Sequence, residues 1–252
     1  MVQLTPATAA AVKKHLDLQS DALMVQVLGE ARQELPSLNG VADADLLTVL
    51  FKLYVCLLES LRGDESTGDP REIFLDYTRN LMNYIDSQSS YTVGHTEAVA
   101  RHVVQMASLM KLSDSEIAEL EYAAWVHNIG LINQYHRLST LNRMLTADEL
   151  TQARNHANIG VQMMKPIEFL SHLVPTVLYH HTHYGTTTPG EPRGEHLPLG
   201  AKLIMLADAY QAMLEGRAYR DPMSRRQALD EIHKASGHQF DPKLVVFAGA
   251  LA

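Results

Sequence analysis

The chain has 252 residues, 46% hydrophobic and 20% charged, and a formal net charge of −8. A chain this long buries enough surface to fold without disulfides or structural metals, and its acidic balance excludes a general nucleic-acid binder or a polybasic membrane anchor. One cysteine, Cys56, excludes a disulfide framework and a cysteine-rich zinc site.

Residues 1–65 read as a small helical domain, with segments Ala7–Leu18, Ala22–Leu35 and Asp43–Arg62 around a turn at Ser37–Gly40. Nothing in them carries chemistry, so a regulatory or interaction module is expected. The N-terminus lacks the basic run and apolar core of a secretory signal, and apolar runs such as Leu53–Leu58 are too short to span a bilayer, so a cytoplasmic location is expected. The run Gly63–Pro70 supplies a linker, set at 66–70, and residues 71–252 form the second domain. There, Arg71–Asp86 and Thr92–Met110 show helical apolar spacing, with His95 one turn before Val99 on the inward face of the second. Ser113-Asp-Ser-Glu116 is a capping box opening a helix whose inner face runs Leu120, Ala124, His127. Thr146-Ala-Asp-Glu149 opens another, with Leu145 and Leu150 placed as a hydrophobic staple and Ala153, His156, Gly160 and Met163 inward. A helix over Leu170–Tyr179 ends at His180 and His181, and Leu199–Leu214 aligns Ala201, Ile204, Asp208 and Ala212. No strand-like alternation appears, so the fold class is all-α.

Of 13 histidines, 12 follow residue 94. A lone inward histidine is ordinarily a hydrogen-bonded core residue. Six ionisable groups on five helices are different: each buried separately costs several kcal/mol unless paired, whereas one divalent-metal site satisfies them together. The imidazole and carboxylate types suit Mn, Fe, Zn, Co or Ni, and their number exceeds one tetrahedral site.

Tyr91-Thr-Val-Gly-His95, Ala124-Trp-Val-His127-Asn128-Ile-Gly130, Leu145–Leu150, His156–Gly160, His180-His181, Leu206-Ala-Asp208-Ala-Tyr210, Arg217-Ala-Tyr-Arg220 and Gly237–Pro242 follow one another in the order of a known family. Residues 84–247 resemble the HD-GYP domain, a branch of the HD metal-dependent phosphohydrolases. The resemblance implies a helical HD bundle, hydrolysis of cyclic di-GMP at a two- or three-metal centre, metal ligands at His95, His127, His156, His180, His181 and Asp208, and phosphate-binding positions at Arg217 and Arg220. For this chain the expected cofactor is one or two divalent transition-metal ions, Fe, Mn or similar. The implied partners are cyclic di-GMP and a signalling protein; DNA and membrane are not expected, and a homo-oligomer stays open.

The chain departs from that pattern at demanding positions. The family's metal-bridging aspartate is Asn128, whose amide is uncharged and has one good acceptor oxygen. The lysine that helps neutralise the reacting phosphate is Leu131, the Gly-Tyr-Pro signature is replaced by Thr187-Thr188-Pro189, and the third-metal glutamate aligns with Tyr91. The expectation is therefore a degenerate member, weakly hydrolytic or not at all, with a signalling, ligand-binding or partner-binding role. An active phosphodiesterase with a modified centre, and a structural domain whose histidines pack without metal, stay open as alternatives.

Overall fold

The computed structural model describes residues 70–87, 91–133, 143–144, 146–165, 167–216 and 220–251. The expected helical domain of residues 1–65, most of the 66–70 linker, Leu145 and Arg217 lie outside the described residues. Among those described, the elements are helical, with no strand and one isolated bridge between Ser236 and Phe240.

The first helix, α1, spans Pro70–Ser87. Pro70 is its first residue, where a missing N–H costs nothing because that donor has no partner within the helix. Near its end the Asp86 carboxylate, 2% exposed, accepts the backbone N–H of Thr96 at 2.7 Å and stands 3.3 Å from the Thr96 hydroxyl. That bond crosses to α2, His95–Leu109, which starts three residues later than the apolar spacing suggests. Residues 91–94 form a turn in which Gly94 adopts φ 72°, a conformation glycine takes without strain. The last turn of α1 is thus tied to the first turn of α2, where His95 sits.

The capping box at Ser113 and Glu116 forms as expected and opens α3, Asp114–Val126. Short 3-10 segments follow at Ile129–Asn133 and, further on, at Glu168–Leu173, Gly194–His196 and Ala248–Leu251. The box at Thr146 and Glu149 also forms, with its N–H bonds at 2.8 and 3.3 Å, and starts α4, Ala147–Arg154. The single helix expected through Met163 is divided: Asn155 is a turn, and α5 restarts at His156–Met164. The expected helix over Leu170–Tyr179 is likewise two elements, because Pro175 suits only a first turn. A 3-10 segment precedes α6, Val174–Tyr179.

Helix α7 spans Leu199–Glu215, α8 Arg225–Lys234 and α9 Pro242–Val245. Helix α2 packs on α1, α3 and α7; α5 packs on the Ile129–Asn133 segment and α6; and α7 also contacts α6 and α8. Val99, Val103 and Met106 of α2, Ala124 and Val126 of α3, and Leu203, Leu206 and Tyr210 of α7 share one core. Asp241 caps α9 through the Lys243 N–H at 2.9 Å and pairs with Lys202 at 2.8 Å, fastening the C-terminal part to α7. Among the described residues no helix is long and apolar enough to cross a membrane.

Candidate metal centre

Three of the buried histidines are oriented by the same local device. His127, His156 and His180 each follow the last turn of a helix, and each donates Nδ1–H to the carbonyl three residues back: Ala124 at 2.6 Å, Ala153 at 2.7 Å and Val177 at 2.6 Å. At Ala153 the ring takes an acceptor that a continuous helix would have used, which explains the break at Asn155. This network assigns the proton to Nδ1 and leaves Nε2 with a lone pair. An imidazole whose second nitrogen is anchored to a carbonyl is the usual arrangement of a metal-ligating histidine.

Those lone pairs converge. The Nε2 atoms of His156 and His180 are 3.1 Å apart, and neither carries a proton in this tautomer. Two acceptors at that distance repel unless a cation lies against both, and two adjacent ligands ~2.1 Å from one ion stand about 3 Å apart. His181 stacks at 4.0 Å on His180 and 5.0 Å from His156. His127 meets His180 edge-on at 5.2 Å, and its buried Nε2 has no hydrogen-bond partner.

The other side of the site is anionic. His95 Nε2 is 3.0 Å from Asp208 Oδ1, and His95 Nδ1 lies 3.0 and 3.1 Å from the two carboxylate oxygens of Glu215. The six expected ligands fall into two sets: His156, His180 and His181, and His95, His127 and Asp208. Within each set the ligand atoms lie within 4.8 Å of one another.

Electrostatics divides the six differently: His127 joins the imidazoles held neutral by burial, and His95 and Asp208 form a charged pair. Burial pushes His127 down to about 3 and His181 to about 4. It also lowers His156 and His180, the latter helped by the neighbouring imidazoles. These rings are neutral at pH 7, the form that ligates metal. Burial would lower His95 too, but its bonds to Asp208 and Glu215 outweigh it and push it up to about 10. Burial would raise Asp208; the His95 bond and nearby imidazoles instead hold it below the usual carboxylate range. Without an ion, His95 itself is the cation between two carboxylates. Orphaned Nε2 atoms on one side and carboxylates demanding positive charge on the other fit a divalent metal, so the residues present fit the group.

Asn128 is 7% exposed and sits on the turn directly after His127. That turn reaches the set of His156, His180 and His181 through glycine: Gly130 lies against the His156 carbonyl and the Gly160 backbone. Leu131 is half-buried against the apolar core. Arg220 donates from Nη2 to the Ala212 carbonyl at 2.8 Å, which commits one donor of its guanidinium to α7. Thr187 and Thr188 form part of a cleft of about 490 Å³ that reaches His181 and is also lined by Arg154, His183 and His238.

Sequence reasoning missed Glu215 and Asp86. Glu215 stands seven residues after Asp208, two helical turns along one face, and that spacing was the available signal. Asp86 gave no signal, because nothing local distinguishes it from a solvated helix-end acid.

A family model described as an HD domain matches residues 79–244. A cyclic di-GMP phosphodiesterase of Vibrio cholerae is 27% identical over 248 residues, covering 93% of this chain and 50% of that protein. The 3'3'-cGAMP-specific phosphodiesterase 2 of the same organism is 25% identical, covering 70% of this chain and 34% of its own. The cyclic di-GMP phosphodiesterase response regulator RpfG of Xanthomonas campestris is 28% identical, covering 66% and 46%. The chain thus spans about a third to a half of the length of these relatives. Among solved structures, Bd1817, a HDG"Y"P protein from Bdellovibrio bacteriovorus, shares the fold with a TM-score of 0.56 and 14% identity, over 83% of this chain and 71% of that one.

Proposed function

The chain belongs to the HD domain family, and from that premise we propose that it is a metal-binding, HD-GYP-type signalling domain that hydrolyses cyclic dinucleotides weakly or not at all. Its two ligand sets would hold one or two ions of iron, manganese or a similar divalent metal. The observation that carries the reading is Asn128, a buried neutral amide next to His127 where an anion shared by two ions is required. Leu131 adds to it: a half-buried apolar side chain stands where the family resemblance implies a lysine that helps neutralise the reacting phosphate.

When bound, the ions of such a centre polarise phosphate oxygens and activate water. What this chain's residues do is narrower. His127, His156 and His180 present fixed, neutral Nε2 atoms; Asp208 holds negative charge opposite them; and Arg220, with Arg217, is the candidate to orient phosphates. The cleft beside His181 is the proposed seat of a cyclic dinucleotide, whose bound state would be read by a signalling partner in the cytoplasm. Two substrates are named among the relatives, cyclic di-GMP and 3'3'-cGAMP, so the ligand class is cyclic dinucleotides.

A second reading, an active phosphodiesterase with a modified centre, is favoured by the near-complete alignment of the imidazoles. One assay separates them. Metal-replete protein is given cyclic di-GMP and 3'3'-cGAMP, beside the double variant Asn128→Asp/Leu131→Lys. The expected result is near-background turnover for the natural sequence and at least a ~10²-fold gain for the double variant, the scale of one lost charge-stabilising donor. Robust turnover by the natural sequence overturns the proposal in favour of the second reading.

A further inference from the structure

His95 differs from the three anchored histidines in one respect: its Nδ1–H goes to a carboxylate, whereas theirs go to backbone carbonyls. That carboxylate, Glu215, is the last residue of α7. A negative charge there opposes the helix dipole. The side chain is only 11% exposed, so solvent does little to relieve it. Among the described residues its carboxylate is aimed at the His95 ring.

The contacts are directional. Both Glu215 oxygens straddle His95 Nδ1, at 3.1 and 3.0 Å. Oε1 also accepts from Gln211 Nε2 at 2.9 Å, and Gln211 Oε1 lies 3.2 Å from His102 Nε2. Glu215 is therefore itself oriented, by a chain of side chains running from α2 through α7 and back to α2. Its effect is to hold Nδ1 protonated and turn Nε2 towards Asp208, 3.0 Å away. A carboxylate partner raises the basicity of a ligating imidazole more than a carbonyl does.

Charge makes this consequential. Of the six expected ligands only Asp208 is an anion, and Asn128 supplies none. Glu215 brings a second full negative charge to the set formed by His95, His127 and Asp208. We propose that Glu215 is the positioning residue of that set: it orients His95 and supplies, from behind the imidazole, part of the anionic charge missing at Asn128. This rests on the metal reading above and extends it.

The test is Co(II) binding by the full chain, followed by its absorption spectrum against a competing chelator, with melting temperatures in parallel. Glu215→Gln keeps the shape and removes the charge. It is expected to weaken one class of site by about 10–100-fold, the usual cost of losing such a partner. The site formed by His156, His180 and His181 should keep its affinity and spectrum. Glu215→Asp, which keeps the charge on a shorter arm, should lose less, and adding Asn128→Asp to Glu215→Gln should restore affinity. Wild-type affinity at both sites in Glu215→Gln overturns the proposal, as does equal weakening of both sites with a lowered melting temperature. A greater loss in Glu215→Asp than in Glu215→Gln, or no restoration by Asn128→Asp, also counts against it. Natural protein that takes up no Co(II) overturns the metal reading itself, and this inference with it.

Discussion

Gly130 stands so close to His156 that a β-carbon on Gly130 would lie 2.0 Å from the His156 carbonyl oxygen and 2.6 Å from the Gly160 nitrogen. The turn carrying His127 and Asn128 is therefore seated directly on the helix that presents His156. This backbone contact sets the separation of the two ligand sets.

The two glycines of that contact should respond differently to alanine. Gly130→Ala drives a methyl into backbone that cannot rotate away, so it should cost about 1–3 kcal/mol or more and displace His127 from His156. At Gly160 the nearest atoms to an added β-carbon are the Ile129 methyl at 3.3 Å and Gly130 N at 3.4 Å. There the strain is small and alanine's helix preference, about 0.5–1 kcal/mol, offsets it. Urea denaturation of both variants checks this; equal stabilities would contradict the contact.

The opposed Nε2 atoms of His156 and His180 predict how the protein responds to metal removal. Each buried, unsatisfied polar group costs about 1–3 kcal/mol, and the pair is joined by the orphaned Nε2 of His127. An ion that satisfies them stabilises by mass action, about 2.7 kcal/mol at one hundred times Kd. For a chain this size that is a rise of roughly 5–10 °C in Tm. Calorimetry with Mn(II) or Fe(II), then with excess chelator, should show the rise and its reversal. A melting temperature indifferent to both would favour imidazoles packed for structure alone.

How much of this was legible in the sequence depended on how local each cause is. The capping boxes at Ser113 and Thr146 are read within four residues, and both form. The six ligand candidates were visible because together they put six ionisable groups on the apolar faces of five helices, more than separate core hydrogen bonds readily satisfy. Glu215 carried only the seven-residue spacing from Asp208, a weak signal because a glutamate ending a helix looks like surface charge until α2 is seen to bring His95 beside it. The break at Asn155 depends on where the His156 ring goes, and nothing local names Gly130 as the backbone that Gly160 lies against. The division at Pro175 could have been read from the proline alone.

The pH dependence of the metal-free protein follows from opposite shifts on the two sides of the site. His127 and His181, pushed down to about 3 and 4, stay neutral in the folded state well into the acid range, and burial lowers His156 and His180 in the same direction, while unfolded histidine protonates near 6.5. Below 6.5 the unfolded chain binds more protons, so their stabilisation is complete above that value and lost as pH falls, at about 1.4 kcal/mol per pH unit for each group. Asp86, which burial pushes up to about 6, works the other way as pH drops, but it is one group against four shifted in the opposite sense. His95, held at about 10 against its burial by Asp208 and Glu215, contributes fully below 6.5 and loses its contribution as pH rises towards 10. Metal-free stability should therefore peak near pH 6.5, falling steeply by several kcal/mol towards pH 4.5 and more gently above. Bound metal, which holds the imidazoles deprotonated, should move the acid limb to lower pH. Urea midpoints measured from pH 4.5 to 9 in chelator and in metal check both limbs, and a flat acid limb in chelator would mean that the four imidazoles are not buried together.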